Sequence, residues 1–236
     1  MMKISIVIPA KNEEKHVGKL IDKIEDLNLD SKNLKLEIIA VNDGSTDRTK
    51  DVILKKMRKY KNVKIVSYKK NRGKTYACVR GVKKAKGRWI IIMDADLQHD
   101  PQDIKKFIKS MKGADIIIGE RPMNKIPIIR KISNIVAAKF INFFTERNFD
   151  DVLCGYRAIK KEKFNQLGLK DGRYEIEIDM ILNAIKLGMS IKTIKVRSIY
   201  NKNGKKVGSR MPITSATELV FHSIKKVWRF KCTNKL

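Results

Sequence analysis

The chain has 236 residues, of which 53 are Lys or Arg and 25 are Asp or Glu, so its formal net charge is +28. Hydrophobic residues make up 42% of the chain, enough to bury a core, which argues against an intrinsically disordered protein. A positive charge of this size indicates anionic partners: nucleic acid, phosphorylated small molecules or a lipid surface. The three cysteines (Cys78, Cys154 and Cys232) show no CxxC spacing, which argues against a zinc ribbon or disulfide scaffold and favours a reducing compartment.

The first half of the chain alternates short apolar runs with segments of helical periodicity. The predicted strands are residues 3–8, 36–41, 63–67, 89–93 and 115–118. The predicted helices are residues 13–27, 46–59, 73–86 and 102–111. Ser45 or Thr46 is the predicted N-cap of the second helix, and Gly87 is predicted to end the third. This alternation predicts an α/β fold with a mostly parallel sheet that is covered by helices on both faces.

The second half of the chain is less regular. We predict an amphipathic segment at 126–146, a helix at 174–187, a strand at 191–196 and a basic amphipathic helix at 214–231. A loop rich in Gly, Lys and Asn precedes that last helix, at 201–209. No internal repeat and no second core is evident in the pattern.

Three aspartates follow apolar strands of the first half, namely Asp43, Asp94 and Asp96. In open α/β sheets, ligands bind beyond the carboxyl ends of the strands. Carboxylates that converge there repel one another unless they share a cation or hydrogen-bond donors. Any one of the three alone would be ordinary turn material, but their conjunction favours a site in which Mg²⁺ or Mn²⁺ binds together with a diphosphate.

Four ordered motifs carry a resemblance to a known family. They are residues 6–9 (IVIP) followed by Asn12 and Glu13, residues 41–47 (VNDGSTD), residues 71–74 (NRGK) and residues 94–101 (DADLQHDP). Together they resemble family 2 glycosyltransferases of the GT-A fold, and the DADLQHDP segment contains a DXD motif. Its LQHDP extension is similar to the polyprenyl-phosphate sugar synthases, which include dolichyl-phosphate mannose and glucose synthases. Weaker similarity continues through residues 151–158, 174–179 and 208–210.

The resemblance implies a mostly parallel central sheet flanked by helices, with a Rossmann-like half for the nucleotide-sugar and a second half for the acceptor. We predict a catalytic domain over residues 1–211, followed by a C-terminal basic amphipathic helix over 212–236 whose pattern suits a membrane surface.

The resemblance also implies roles for individual residues. The nucleotide-sugar would contact Pro9, Lys11, Glu13, Val41, Asp43, Asp94, Ala95, Asp96 and Arg210. Lys11 stands where family members often carry an aromatic residue or Cys. Asp96 and Gln98 would bind Mg²⁺ or Mn²⁺, and Arg121, Arg130 and Ser133 would receive the acceptor phosphate. The residues nearest the chemistry would be Asp94, Asp96, Arg130 and Arg210, while Gly155 and Arg157 would shape the sugar side.

The implied reaction is a metal-dependent, inverting transfer from a GDP- or UDP-linked sugar to a polyprenyl (dolichyl) phosphate. A lipid monophosphate has a second pKa of about 6, so it is largely ionised and nucleophilic without a general base. Glu177 and Asp179 stand where other members can place acidic site residues, although a solvated helix face explains them equally well. Gly73, Lys74 and Thr75 resemble the end of a Walker A loop, but Tyr68 stands where that motif needs Gly, so a helix-opening turn is the better interpretation.

Two other classes of function compete with this one. The first is a soluble family 2 glycosyltransferase that uses a saccharide or small-molecule hydroxyl. The second is a nucleic-acid-binding protein, but the charge is spread along the chain and that class leaves Asp94, Asp96 and Gln98 unexplained. We therefore expect no nucleic-acid partner.

The expected location is the cytoplasm, with peripheral association at the cytoplasmic face of a membrane. The segments at 126–146 and 214–231 suit a membrane surface because each sets an apolar face beside cations, although both faces could instead pack on the core. His99 is interpreted as a turn residue and Cys154 as a small buried residue.

Overall fold

The computed structural model describes residues 1–126, 128–169 and 176–199 of the chain. Its strands are β1 (Met2–Ala10), β2 (Leu34–Asp43), β3 (Val63–Tyr68), β4 (Trp89–Ile92), β5 (Ile116–Glu120), β6 (Arg157–Lys160) and β7 (Ile191–Lys195). Its α-helices are α1 (Val17–Glu25), α2 (Thr49–Lys59), α3 (Lys74–Lys84), α4 (Ile104–Ser110), α5 (Ile128–Thr145), α6 (Lys161–Gln166) and α7 (Ile176–Lys186). Short 3₁₀ turns at Pro101–Asp103 and Met123–Lys125 precede α4 and α5.

The described strands form one sheet in the order β3-β2-β1-β4-β6-β5-β7. All neighbouring strands are parallel except at β6, which runs antiparallel to both β4 and β5. Helices cover both faces, because alternate residues of the central strands point to opposite sides. Ile6 of β1 belongs to a buried apolar cluster that includes residues of α1, α2 and α4, whereas Val7 belongs to a second cluster that includes residues of α3, α5 and α7. The prediction of a mostly parallel α/β sheet flanked by helices is confirmed.

The strand β6 and the helix α6 have no counterpart in the sequence prediction. Four residues with two apolar members carry too little periodicity to indicate a strand. The strand has a consequence for the site, because Arg157 at its start pairs with Ile92 at the end of β4. The loop that leads into β6 therefore lies at the carboxyl edge of the parallel strands.

Two predicted helix ends are wrong for identifiable reasons. Helix α2 begins at Thr49, and Ser45 and Thr46 bond instead to Asn12 in the loop after β1. Helix α3 ends at Lys84, three residues before Gly87. A Cβ atom on Gly87 would lie 2.6 Å from the backbone nitrogen of Ser5, so this glycine permits close approach of two chain segments instead of ending a helix.

One buried carboxylate ties several elements of the sheet together. Glu37 of β2 accepts hydrogen bonds from Ser5 Oγ at 2.5 Å, from Lys64 Nζ at 2.6 Å and from the backbone N–H of Lys86 at 2.5 Å. Burial acts to raise the pKa of Glu37, but these donors outweigh burial and lower its pKa to about 2. The side chain thus links β1, β2, β3 and the turn after α3.

Candidate active site

The first part of the site is the pair of loops that follow β1 and β2. Pro9 and Val41, both predicted to contact the nucleotide, are direct neighbours in the register of these strands. Asn12 joins the loops: its Oδ1 accepts from the backbone N–H of Thr46 at 2.9 Å, and its own N–H donates to Ser45 Oγ at 3.0 Å. The backbone of Asn12 has φ of 55°, a conformation that Asn tolerates better than most residues. These contacts hold the two loops together at the carboxyl edge of the sheet. Lys11, which precedes Asn12, is exposed.

Asp43, at the end of β2, organises the loop between β3 and α3. Its carboxylate accepts from Asn71 Nδ2 at 2.7 Å and from the backbone N–H groups of Arg72 at 2.8 Å and Gly73 at 3.0 Å. Three hydrogen-bond donors of one loop therefore satisfy this carboxylate. The same loop delivers Lys74, the first residue of α3, to the site.

Asp94, just after β4, forms a charged cluster with residues distant in sequence. Lys74 Nζ lies 2.5 Å from Asp94 Oδ1 and 2.7 Å from Glu177 Oε1, and His99 Nε2 lies 3.8 Å from Asp94 Oδ2. Burial opposes the charged forms of both partners. Even so, Lys74 and then His99 hold the pKa of Asp94 well below its usual range, and Asp94 and Glu177 hold the pKa of Lys74 above its usual range.

Sequence reasoning missed the role of Lys74 and the contacts that Glu177 and His99 make in this cluster, although it named Glu177 as a candidate acidic site residue. Glu177 is buried in the first turn of α7 instead of lying on a solvated face. His99 is also buried, with its ring 5.0 Å from that of Tyr156, so it is more than a turn residue. One signal could have found Lys74: the helix dipole disfavours a cation at a helix N-terminus, so a lysine there suggests a specific anionic partner.

Glu13 and Asp96 belong to the same acidic region. Glu13 Oε2 lies 2.8 Å from His16 Nδ1. The pKa of Glu13 is raised, chiefly by burial and further by the negative charges of Asp96 and Asp94, although the hydrogen bond with His16 opposes this. The three carboxylates are therefore close enough to interact electrostatically.

The predicted metal ligands Asp96 and Gln98 occupy one tight turn. Asp96 Oδ1 accepts from the backbone N–H of Gln98 at 3.1 Å, and Leu97 between them has φ of 59°. Gln98 is buried, and its Nε2 has no hydrogen-bond partner in the part of the chain that the structure describes. Its Oε1 lies 3.4 Å from Arg130 Nη1 on α5. This contact brings a predicted acceptor-phosphate residue beside a predicted metal ligand.

The oxygen donors of Asp96 and Gln98 fit Mg²⁺ or Mn²⁺, which are commonly held by one or two protein ligands with substrate phosphates completing the shell. Residues 1–126, 128–169 and 176–199 contain no group of three or more His, Cys, Asp or Glu side chains that could hold a metal ion. The assignment of Asp96 and Gln98 as metal ligands stays a prediction.

Of the three residues predicted to receive the acceptor phosphate, two lie on α5 and one does not. Arg130 and Ser133 are three residues apart on that helix, so they share a face. Arg121 follows β5, and its guanidinium forms a two-point ion pair with Asp151, at 2.6 Å and 3.0 Å. This ion pair anchors the loop before β6. It also uses guanidinium nitrogens of Arg121 that were predicted to bind the acceptor phosphate, so a role of Arg121 toward the acceptor stays a prediction.

Gly155 and Arg157 shape the cluster from the side of β6. A Cβ atom on Gly155 would lie 2.5 Å from Asp94 Oδ2 and 2.7 Å from Lys74 Nζ, so the bare backbone packs directly on that ion pair. Arg157 is buried and donates to the carbonyl oxygens of Cys154 at 2.8 Å, Val152 at 2.7 Å and Glu177 at 2.5 Å. The guanidinium of Arg157 therefore holds the loop before β6 and the start of α7, and its role in shaping the sugar side stays a prediction.

Other predicted features are either inert or outside the described residues. Cys154 is buried, and burial raises the pKa of its thiol to about 12, which makes it a poor nucleophile. Arg210, Cys232 and the predicted helix at 214–231 lie outside the described residues. Among the helices that the structure describes, none is long and apolar enough to cross a membrane.

The sequence of the chain is similar to those of known glycosyltransferases. Residues 5–168 match the family described as Glycosyl transferase family 2. The dolichol-phosphate mannosyltransferase of Pyrococcus furiosus is 32% identical over 189 residues, which are 77% of this chain and 53% of that enzyme. A dolichyl-phosphate beta-glucosyltransferase of Trichomonas vaginalis is 28% identical, over 97% of this chain and 76% of that protein.

The fold has a solved counterpart in glucosyl-3-phosphoglycerate synthase from Mycobacterium tuberculosis, crystallised with Mn²⁺, uridine diphosphate and phosphoglyceric acid. The two structures match with a TM-score of 0.76 and 19% identity, over 97% of this chain and 78% of that one. The match over residues 5–168 covers more than half of the chain, which therefore belongs to glycosyl transferase family 2 and is a glycosyltransferase.

Proposed function

We propose that this glycosyltransferase moves a sugar from a GDP- or UDP-linked donor to the phosphate of a polyprenyl lipid, with a divalent metal ion and with inversion at the sugar carbon. One observation carries the proposal: α5 combines a contact to the site with an exposed apolar face. Arg130 on this helix lies 3.4 Å from Gln98, whereas Ile128, Ile132 and Phe143 are 66%, 55% and 78% exposed. An acceptor with a phosphate head and a hydrocarbon chain suits both features.

The donor would lie across the carboxyl edge of β1, β2 and β4. In this proposal Pro9, Lys11, Glu13, Val41 and Asp43 surround the nucleoside, and Asp94 and Ala95 face the nucleotide and its sugar. The fixed loops after β1 and β2 support this role, since a preorganised pocket binds without first having to order its own chain. The relatives from Pyrococcus and Trichomonas are named as a mannosyltransferase and a glucosyltransferase, and the related crystal structure contains uridine diphosphate; both support a nucleotide-linked sugar as the donor.

Asp96 and Gln98 would hold Mg²⁺ or Mn²⁺ on the donor diphosphate. A bound metal ion supplies positive charge that stabilises the departing nucleoside diphosphate. The chain's own contribution is to orient the two ligands, which the turn at Leu97 and the hydrogen bond from Gln98 N–H to Asp96 Oδ1 provide. Mn²⁺ and Mg²⁺ in the related crystal structures support the choice of metal.

The acceptor would need no general base from the protein. A phosphate monoester is largely dianionic near neutral pH, so its oxygen can attack the sugar carbon directly. Arg130 and Ser133 would orient that phosphate, because a guanidinium presents a planar pair of donors to phosphate oxygens. The position of Arg130 beside Gln98 would bring the attacking phosphate close to the donor diphosphate.

The exposed face of α5 would rest on the cytoplasmic face of a membrane. Ile128, Ile132, Ile135, Lys139 and Phe143 follow helical spacing and form one stripe, which we call the α5 stripe. Apolar residues beside a cation suit an interfacial helix, and each basic residue near an anionic surface contributes about 1 kcal/mol. The stripe would thus bring the site to a lipid acceptor.

Substitution of Arg130 tests the acceptor side of the proposal. Arg130→Ala removes a charged pair of phosphate donors, so we expect the KM for polyprenyl phosphate to rise about tenfold or more, while the KM for the nucleotide-sugar changes less than twofold. The matched control is Arg147→Ala, an exposed arginine just beyond α5 that we expect to leave both constants unchanged. A rise confined to the donor KM would contradict the assignment of Arg130 to the acceptor.

A further inference from the structure

Three charged side chains from separate parts of the chain meet at one point of the site. Lys74 is the first residue of α3, Asp94 follows β4, and Glu177 lies in the first turn of α7. The ammonium group of Lys74 lies 2.5 Å from Asp94 and 2.7 Å from Glu177. Neither the resemblance nor the proposed function assigns a task to Lys74. We propose that Lys74 is a positioning residue that fixes the Asp94 carboxylate for the donor and ties it to α7; this rests on the donor-binding role proposed for Asp94.

The arrangement is specific because each member depends on the others. A lysine at the start of a helix is disfavoured by the helix dipole, so its place must be stabilised by nearby negative charge. Conversely, two carboxylates brought together without Lys74 would repel each other. Removing the shared cation therefore leaves the charges of both carboxylates uncompensated, which costs more free energy than the loss of a single contact.

Glu177, one of the two partners of Lys74, lies in a turn that is anchored by other hydrogen bonds. Arg157 donates to the backbone carbonyl of Glu177 at 2.5 Å and to that of Val152 at 2.7 Å. The start of α7 is thus tied to the loop before β6, and Glu177 presents its carboxylate from an anchored turn. Lys74 then spans from this anchored point to Asp94.

Gly155 and His99 leave Asp94, the other partner of Lys74, little freedom to move. The backbone of Gly155 packs so closely that a single added methyl group would lie 2.5 Å from Asp94 Oδ2 and 2.7 Å from Lys74 Nζ. His99 Nε2 approaches the same oxygen of Asp94 at 3.8 Å. One oxygen of Asp94 is therefore held by Lys74, and the other faces Gly155 and His99. A displacement of about 1 Å in such a site can cost about a hundredfold in rate, so a residue that fixes the carboxylate matters for the donor.

A double-mutant cycle separates positioning from direct contact with the donor. The variants are Lys74→Met, Glu177→Gln and the two combined, and the readout is the affinity for GDP-mannose and UDP-glucose with Mn²⁺, measured by calorimetric titration. We expect Lys74→Met to weaken binding of the cognate donor about tenfold or more. Adding Glu177→Gln should recover at least about threefold, because it removes one of the two carboxylates that then repel each other. Lys69→Met, an exposed lysine in the loop before α3, is the matched control and should change affinity less than about twofold.

Two results would overturn the inference. If Lys74→Met binds the donor within twofold of the wild type, Lys74 does not position Asp94. If Glu177→Gln changes donor affinity by the same factor in the wild type and in Lys74→Met, the two residues are not coupled and the lysine acts on the donor itself.

Lys74→Arg guards against a variant that fails to fold. It keeps the charge but replaces a compact ammonium with a larger planar group, so we expect a nearly unchanged melting temperature with a weakened donor affinity. A purely structural role would lower the melting temperature and leave the affinity of the folded fraction intact, which would also contradict the inference. The titration needs no acceptor, so a wrong acceptor would appear separately, as wild-type protein that binds a donor but makes no lipid-linked product.

Discussion

Substitution of Glu37 tests how the sheet is held together at its core. In the folded protein the pKa of Glu37 is lowered from 4.5 to about 2 by donors on Lys64, Ser5 and Lys86, against the opposing effect of burial. Since one pKa unit corresponds to about 1.4 kcal/mol, the ionised carboxylate contributes roughly 3 kcal/mol to the free energy of unfolding. Because the folded pKa is the lower one, this stability is fully present above about pH 4.5 and is lost as the pH falls toward 2.

Glu37→Gln keeps the size of the side chain but removes its charge. We expect urea unfolding at pH 7 to show a loss of roughly 3 kcal/mol, and we expect the difference from the wild type to shrink steadily between pH 4.5 and the lowest pH at which the protein still folds. Glu162→Gln, an exposed glutamate on α6, is the control and should change stability by less than about 0.5 kcal/mol. A loss below about 1 kcal/mol at pH 7, or a difference that does not depend on pH, would refute the reasoning.

Two further substitutions test the site and the membrane face. Gly155→Ala would place a methyl group 2.5 Å from Asp94 Oδ2, so we expect kcat/KM for the donor to fall about a hundredfold. Binding of the protein to lipid through α5 should stay unchanged. Activity within twofold of the wild type would contradict the packing described for Gly155. Phe143→Ser, in the α5 stripe, should reduce sedimentation of the protein with anionic vesicles severalfold. The control is Leu187→Ser, which changes an exposed apolar residue after α7 and should leave sedimentation unchanged. Equal loss of sedimentation in both variants would exclude a specific role of the stripe.

The parallel strands could be predicted from the sequence because their signals are local. The strands β1 and β2 contain the apolar runs 6–10 and 38–41, and the helices between the strands show clear periodicity. The strand at Arg157–Lys160 could not be predicted, because its place between β4 and β5 depends on pairing with residues far away in the chain. The start of α2 was predicted wrongly for a similar reason. Ser45 and Thr46 resemble N-caps in their local sequence, but they bond to Asn12 in another loop.

The candidate site divides along the same line. Asp43, Asp94 and Asp96 could be identified because they directly follow strands or belong to a continuous motif. The cluster of Lys74 with Glu177 joins residues that lie about a hundred positions apart, and no local pattern indicates that pairing. Likewise, nothing in the sequence around Arg121 indicates that Asp151 engages its guanidinium.

The central claim is that this enzyme joins a sugar to a lipid phosphate, and the most direct measurement is of the product itself. Purified protein is incubated with Mn²⁺, polyprenyl phosphate in anionic vesicles and a panel of radiolabelled GDP- and UDP-sugars, followed by extraction into organic solvent. The account predicts radiolabel in the organic phase for one donor, lost on addition of EDTA and absent when free polyprenol replaces the phosphate. Radiolabel that stays in the aqueous phase for every donor, with transfer to a saccharide or another small soluble acceptor, would contradict it.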